Sequence, residues 1–123
     1  MKKLVRSFGF AFKGLAYATK TQPNFRIHLV MAAIAIVLGI VLDLSGREWR
    51  WIMLSIAFVL VAELINTGIE TLVDLVSPGY NEKAGHVKDV CAGAVVIAAL
   101  FALVTGAAIF LPKIILFITR YAA

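Results

Sequence analysis

The residues best suited to chemistry are four polar side chains in an otherwise apolar segment: Glu63, Asn66, Glu70 and Asp74. At about 100° per residue, a helix places all four within an arc of about 80° on one face. Their hard oxygen donors favour Mg²⁺ over zinc, and Glu70 and Asp74, one turn apart, are close enough to share a divalent ion. A structural polar seam between helices is the alternative, but three carboxylates on one face favour a functional site.

The rest of the chain is hydrophobic enough to lie in a membrane. Of its 123 residues, 62% are hydrophobic and 15% are charged, and the mean hydropathy is +0.95. A soluble domain carries about 25% charged residues, so the composition excludes a soluble two-lobed enzyme, and its hydrophobicity excludes a disordered chain. A charge at the centre of a span costs about 2.5–3.5 kcal/mol. The acidic stripe therefore needs a cation, a lysine or a polar cleft as compensation.

Four helices are predicted to position the stripe within one domain, residues 1–123, and the predicted fold class is an all-α membrane protein. An amphipathic surface helix is expected over residues 2–20, followed by transmembrane helices over about 25–44, 48–76 and 82–111. Pro23 is expected to break the chain, with Asn24 as the N-cap of the next helix. Asn81 is expected to cap the last helix, and Pro112 to end or kink it.

Basic residues are concentrated at the N-terminus. Residues 1–28 contain six Lys and Arg and no acid, whereas the remaining residues contain six bases and seven acids. Beside a hydrophobic chain, such an arm is more typical of contact with anionic lipid on the cytoplasmic side than of nucleic-acid binding. We therefore expect a multi-pass protein with a cytoplasmic N-terminus. The first span is interpreted as retained, because no A-x-A-like cleavage site follows Leu44.

Other residues carry weaker signals. His28 and His86 are interpreted as solvated or interfacial side chains rather than ligands, because each is isolated in the sequence. Cys91, inside an apolar run, is interpreted as a small packed hydrophobe. A small residue at every fourth position predicts close approach by another helix, in a dimer or a trimer; these residues are Ala94, Ala98, Ala102 and Gly106.

The stripe and the residues that follow it resemble one protein family. The shared residues are Glu63, Asn66, Thr67, Ile69, Glu70, Val73 and Asp74, then Ser77, Pro78, Tyr80 and Asn81, then Ala84, Gly85, Lys88, Asp89 and Ala92 to Val95. This pattern is similar to that of the small bacterial integral-membrane diacylglycerol kinases, which include the undecaprenol kinases. The resemblance extends over nearly the whole chain, to Pro112. It implies a homotrimer of three-span subunits in the bacterial plasma (inner) membrane.

The resemblance also implies an activity. A family member is a lipid kinase that uses Mg²⁺ and transfers the γ-phosphoryl group of ATP to the hydroxyl of a membrane lipid. Diacylglycerol would give phosphatidic acid, and undecaprenol would give undecaprenyl phosphate. The stretch from Asn24 to His28 looks more like the undecaprenol branch. Phosphoryl transfer requires positioning and charge neutralisation, to which an acidic stripe with Mg²⁺ is suited, and no nucleic-acid partner is expected.

The resemblance assigns roles to individual residues. Glu63 would be the catalytic base on the lipid hydroxyl, Glu70 would hold Mg²⁺, and Asp74 would shape the polar rim of the site. The residues expected to bind ATP are Asn66, which also supports the metal, the turn Gly79, Tyr80 and Asn81, and the pair Lys88 and Asp89. Gln22 stands where the family usually has a glutamate that helps to bind the metal, so it is a weaker candidate ligand. Gly68 replaces the usual alanine.

Two other classes remain open at this point. A small transporter or ion-conducting oligomer would use carboxylates along a pathway across the membrane. The acids here instead crowd into one half of a span, beside Lys88 and Asp89, which favours an enzyme. The second alternative is a catalytically weakened family member with a structural role, and Gln22 is the only residue that supports it.

Overall fold

Helices make up nearly all of the computed structural model, which describes residues 1–122. In chain order the helices are α1 (Lys2–Thr21), α2 (Pro23–Val41), α3 (Gly46–Val76) and α4 (Glu82–Ala122). The described residues contain no strand. Among them, α2, α3 and α4 are long and apolar enough to cross a membrane. These findings confirm the predicted all-α membrane fold, with an N-terminal helix followed by three spans.

The break between α1 and α2 lies where the proline predicts it, but the cap differs. Gln22 is extended and is the N-cap of α2, because Pro23 fits the first helical turn, where its missing N–H would have had no partner. The prediction that Asn24 caps this helix is wrong. The helix begins at Pro23 and ends at Val41, rather than covering 25–44.

The start of α3 is fixed by a capping box that the sequence reading did not identify. Ser45 Oγ accepts a hydrogen bond from the Glu48 N–H at 3.3 Å, and Glu48 Oε2 accepts one from the Ser45 N–H at 2.8 Å. This reciprocal pair satisfies donors that a helix N-terminus leaves unpaired. The helix consequently starts at Gly46 rather than at residue 48.

The last helix does not end near Pro112, as the predicted limit of 111 implied, but continues to Ala122. Proline removes one backbone donor and crowds the preceding turn. Membrane helices tolerate this, because neighbouring groups and local adjustments satisfy the freed carbonyl. At about 1.5 Å per residue, α4 is about 60 Å long. It therefore exceeds the hydrocarbon core of about 30 Å, and part of it must stand outside that core.

The main helix pair is formed by α3 and α4, which run antiparallel. Contacts at both ends and in the middle fix their register; they are Asp74 with Lys88, Phe58 with Phe101, and Glu48 with Lys113. The two rings meet edge to face, with centroids 6.0 Å apart. Ala98 is completely buried, which confirms close packing at one step of the small-residue ladder. This pairing places the Asp74 end of α3 beside the first turns of α4.

The first helix is attached to the bundle near its C-terminus. Ala18 is buried there, and Phe25 just beyond the break is only 2% exposed. An Arg26 Nη1–H group donates to the carbonyl oxygens of Thr19 and Lys20 at 3.2 and 3.1 Å. Carbonyls at a helix C-terminus lack partners within the helix, so Arg26 closes the end of α1. The apolar side chains earlier in α1 are exposed, as expected for a helix that rests on lipid.

Much of the apolar surface of the spans is exposed in the single chain. On α2, for example, Val30, Val37 and Ile40 are each more than half exposed. An open cavity of about 580 Å³ lies between α2, α3 and α4, and its walls are almost wholly apolar. His28 and Ser55 are among the few polar residues that line it. Soluble proteins rarely expose apolar patches of this extent, so lipid or further subunits must cover this surface.

Candidate functional site

One face of α3 packs inside the chain and changes from apolar to polar along its length. Its buried residues recur at intervals of three or four; they are Ile52, Ser55, Val59, Glu63 and Thr67. Glu63 is only 3% exposed. It lies about 18 Å along the helix from Trp51, the first residue of the uninterrupted apolar stretch. The face therefore carries an acid into the depth of the membrane-spanning segment.

Glu63 lies against α2. Its Oε1 atom is 3.2 Å from Nε2 of His28, and no other basic group of residues 1–122 lies within 4.0 Å of this carboxylate. The two atoms are not aligned as a hydrogen bond, so Oε1 has no hydrogen-bond partner among the described residues. His28, interpreted from the sequence as a solvated or interfacial side chain, is instead partly buried and contacts this carboxylate. Helical periodicity relates residues of one helix only, so no spacing in the sequence points to this contact between α2 and α3.

Asn66 and Glu70 continue the polar face over the next two turns, and both are partly buried. The Oδ1 atom of Asn66 is enclosed and has no hydrogen-bond partner among residues 1–122. The neighbouring hydroxyls are satisfied within the helix: Thr67 donates to the Glu63 carbonyl at 2.9 Å, and Thr71 donates to the Thr67 carbonyl at 2.8 Å. Among residues 1–122, the enclosed acceptors of this polar face that lack a hydrogen-bond partner are therefore Glu63 Oε1 and Asn66 Oδ1.

An ion pair between two helices closes the polar face at its exposed end. Lys88 Nζ of α4 donates to Asp74 Oδ1 of α3 at 2.5 Å, with 38% and 66% of the respective side chains exposed. The expectation that Lys88 lies at the level of the stripe is thereby confirmed. Exposed pairs contribute only about 0–1 kcal/mol. The pair thus places the Lys88 ammonium beside the stripe. Exchanging Asp74 for another anion as the partner of Lys88 would cost little free energy.

The turn between α3 and α4 lies at the same end of the bundle. Gly79, Tyr80, Asn81 and, two turns into α4, Asp89 are all exposed, and Tyr80 is almost entirely so. Asn81 Oδ1 accepts a hydrogen bond from the Ala84 N–H at 3.1 Å, which confirms it as the cap of α4. None of these side chains is enclosed with Glu63 in the single chain. They are open to a ligand that approaches from the exposed end.

Gln22 lies at the break between α1 and α2. Its Nε2 amide donates to Thr21 Oγ1 at 3.3 Å, and it makes no hydrogen bond to Glu70 among the described residues. Nor do any three His, Cys, Asp or Glu side chains of residues 1–122 come close enough to hold a metal ion together. The available donors are the Glu70 carboxylate and the unpartnered Asn66 oxygen. They fit Mg²⁺, which binds proteins through one or two carboxylates and keeps waters and phosphate oxygens as its other ligands.

These features define a class: a small helical membrane protein with a partly enclosed acidic site on one span and a lysine at its exposed edge. The profile of the prokaryotic diacylglycerol kinase family matches residues 9–110. The chain belongs to this family, and the predicted resemblance is confirmed.

Curated relatives include kinases for two different lipids. The chain is similar to the diacylglycerol kinase of Synechocystis sp., with 38% identity over 113 residues, which cover 91% of this chain and 65% of that protein. It is 35% identical over 114 residues to the undecaprenol kinase of Bacillus subtilis, with 93% of each chain covered. The diacylglycerol kinase of Escherichia coli is 30% identical over 103 residues, with 84% of each chain covered. The chain thus spans just under two thirds of the first of these proteins and most of the other two.

Proposed function

We propose that this protein is an ATP- and Mg²⁺-dependent lipid kinase whose acceptor is the single hydroxyl of diacylglycerol or of undecaprenol. The observation that carries the proposal is the enclosed carboxylate of Glu63, on a helix face that continues through Glu70 to the exposed Asp74–Lys88 pair. In this arrangement, Glu63 can meet a substrate that comes from the bilayer, and the exposed pair can meet one that comes from water. Membership of the prokaryotic diacylglycerol kinase family supports the same conclusion.

The proposed reaction is a single phosphoryl transfer. Glu63 accepts the proton of the lipid hydroxyl, the hydroxyl oxygen bonds to the γ-phosphorus of ATP, and the bond from that phosphorus to the β,γ-bridging oxygen breaks. The products are the lipid phosphate and ADP, and the proton resides on Glu63 until it is released to water. Such a transfer depends on positioning and on stabilisation of phosphate charge rather than on a covalent enzyme intermediate.

The other residues of the site have binding roles in this proposal. Glu70, supported by Asn66, would hold Mg²⁺, which neutralises phosphate charge when bound. Gln22 would contribute at most a neutral oxygen. The lysine of the Asp74–Lys88 pair would meet a phosphate as a point charge. Asn66, Asp89 and the turn Gly79, Tyr80 and Asn81 would contact the nucleotide.

The membrane setting follows from the same proposal. The protein would reside in the bacterial plasma membrane with its N-terminus cytoplasmic, because the basic residues of α1 then face anionic headgroups on that side. The surface helix α1 does not cross the membrane, whereas α2 and α3 each cross it once. These two crossings return the chain to the side on which the N-terminus lies. Lys88 and the turn would therefore face cytosolic ATP.

The experiment is transfer of labelled γ-phosphate from ATP in mixed micelles of the purified protein, with diacylglycerol and undecaprenol offered separately. Reactions without Mg²⁺ and without lipid are the controls. Labelling of one lipid only when Mg²⁺ is present supports the proposal and names the substrate. If neither lipid is labelled but Gln22→Glu restores labelling, the chain is a catalytically weakened family member. If the unaltered protein and Gln22→Glu are both folded and both inactive, the proposed function is wrong.

A further inference from the structure

We propose that His28 is a positioning residue for Glu63, a role that rests on the proposed lipid kinase function and deepens it. The histidine belongs to α2 and the glutamate to α3, and their side chains meet at 3.2 Å through Nε2 and Oε1. The sequence pattern that indicates the acidic stripe includes no residue of α2. The contact therefore adds a second helix to the site.

The surroundings of Glu63 give this contact its importance. A carboxylate enclosed within a membrane span requires a partner, because the charged form is costly to bury. Glu70, the next acid on α3, cannot serve, since like charges repel. Of the nearby cations, Arg26 is bonded to carbonyls of α1 and Lys88 to Asp74. His28 is the only basic group of residues 1–122 within 4.0 Å of the Glu63 carboxylate.

The packing of α2 holds the imidazole in place. Phe25 lies three residues before His28, hence on the same face of the helix, and is almost completely buried. At the other end of α2, Gly39 is buried, and the Trp49 ring lies where a Cβ on this residue would project. The helix is thus fixed at both ends, and its histidine lies between the enclosed carboxylate and the apolar cavity. From this position His28 orients Oε1 and leaves the other carboxylate oxygen, Oε2, to meet the lipid hydroxyl.

The geometry distinguishes between two conservative replacements. The amide nitrogen of glutamine reaches the position of Nε2 of histidine, whereas that of asparagine reaches only the position of Nδ1. Since the contact with Glu63 uses Nε2, His28→Gln should retain the positioning and His28→Asn should lose it. A purely space-filling role for the side chain would not separate the two amides in this way.

The test compares His28→Gln, His28→Asn and His28→Ala with the unaltered protein in the lipid phosphorylation assay, measuring kcat and KM for each substrate. His86→Gln is the matched control, because this second histidine is exposed on α4 and has no assigned role. We expect kcat to fall roughly ten- to hundredfold in His28→Asn and His28→Ala, the size of effect that misplacement of a reacting group produces. The KM for ATP should stay unchanged, and His28→Gln should stay within a few-fold of the unaltered protein.

Each outcome bears on one proposal or the other. Equal activity of the three His28 variants and the unaltered protein would overturn the positioning role while the kinase function stands. Equal loss in His28→Gln and His28→Asn, with both proteins folded and inserted, would also overturn it. An inactive unaltered protein would refute the proposed function and this role with it. If His28→Ala fails to fold, the comparison of the two amide variants still decides the matter.

Discussion

At the scale of residues, three buried polar atoms of α3 lack a hydrogen-bond partner among residues 1–122: Ser55 Oγ, Glu63 Oε1 and Asn66 Oδ1. Buried polar groups are bonded in the great majority of cases, and each one left unpaired costs about 1–3 kcal/mol. Glu63 and Asn66 belong to the proposed site: Oε1 of Glu63 faces Nε2 of His28 at 3.2 Å, and Mg²⁺ or nucleotide would supply the partner of Asn66. Ser55 lies farther along the same face and lines the apolar cavity.

Because Asn66 belongs to the proposed site and Ser55 does not, replacing each of them should affect stability in the same way but activity differently. Replacing an unpaired polar side chain by an apolar one removes its desolvation cost, so Asn66→Leu and Ser55→Ala should each leave thermal stability unchanged or raise it, by about 1 kcal/mol. Asn66→Leu should nevertheless lose most of its lipid phosphorylation activity, and the activity that remains should require a higher Mg²⁺ concentration. Ser55→Ala should keep its activity. Thermal unfolding in detergent and Mg²⁺ titrations of turnover measure the two effects. Full activity of Asn66→Leu at low Mg²⁺ would contradict its assigned role.

The sequence predicts the residues of the acidic stripe but not all of their partners. Glu63, Asn66, Glu70 and Asp74 share a face because the spacing within one helix determines this. His28 was missed because its contact depends on how α2 packs against α3, which local spacing does not specify. The roles in catalysis and in ATP and metal binding remain predictions, since they concern ligands rather than the fold.

At the scale of elements, the packing of α2 against the start of α3 depends on a glycine. A Cβ atom added at Gly39 would lie 2.6 Å from Cη2 of Trp49, closer than side-chain carbons approach in proteins. Around Gly68, in contrast, no heavy atom of the described residues lies within 4 Å of such a Cβ, apart from the adjoining residues and the nearby backbone of its own helix. These two glycines therefore differ in kind: the first permits a close contact between helices, and the second occupies an open position on α3.

The expected effects of an added methyl group have opposite signs at these positions. Gly39→Ala should destabilise the protein by about 1–3 kcal/mol through overpacking. Gly68→Ala should be neutral or stabilise it by about 0.5–1 kcal/mol, because alanine is the better helix former. Thermal unfolding of the two variants in the same detergent measures the difference. Equal stability of the two variants would show that Trp49 moves aside without cost.

The sequence predicts the number and order of the helices better than their ends. Continuous apolar segments separated by polar turns are sufficient to indicate three spans and a surface helix. The ends depend on local details: Pro23 at a first helical turn, a capping box at Ser45, and tolerance of Pro112 within a membrane helix. Rules derived from soluble helices gave the wrong limit at Pro112, because a proline inside a membrane does not have to end a helix.

At the scale of the whole molecule, a single chain leaves its apolar surface incompletely covered. Side chains of α2 face outward and an open apolar cavity remains between the spans. The small-residue ladder is buried at Ala98 but exposed at Ala94, so part of it stays available to another helix. Lipid and neighbouring subunits are the two candidates to cover these surfaces, and the family resemblance implies three subunits.

We therefore expect a homotrimer in the membrane. Amine-reactive cross-linking of the protein in native membranes should give a limiting product of three chains, because the exposed lysines of α1 supply reactive groups on every subunit. Cross-linking after denaturation in sodium dodecyl sulfate is the control and should give single chains. A limiting product of one or two chains in native membranes would contradict the trimer.

The central claim is that Glu63 is the base in lipid phosphorylation. The most direct measurement is the turnover of Glu63→Gln in the labelled-ATP assay, alongside Glu48→Gln as a matched control at the opposite end of α3. Glutamine replaces glutamate in capping boxes, so the control should fold, insert and retain its activity. We expect Glu63→Gln to insert and bind ATP normally but to lose turnover by at least about 10²-fold, the usual contribution of a general base. Turnover equal to that of the unaltered protein would contradict the account.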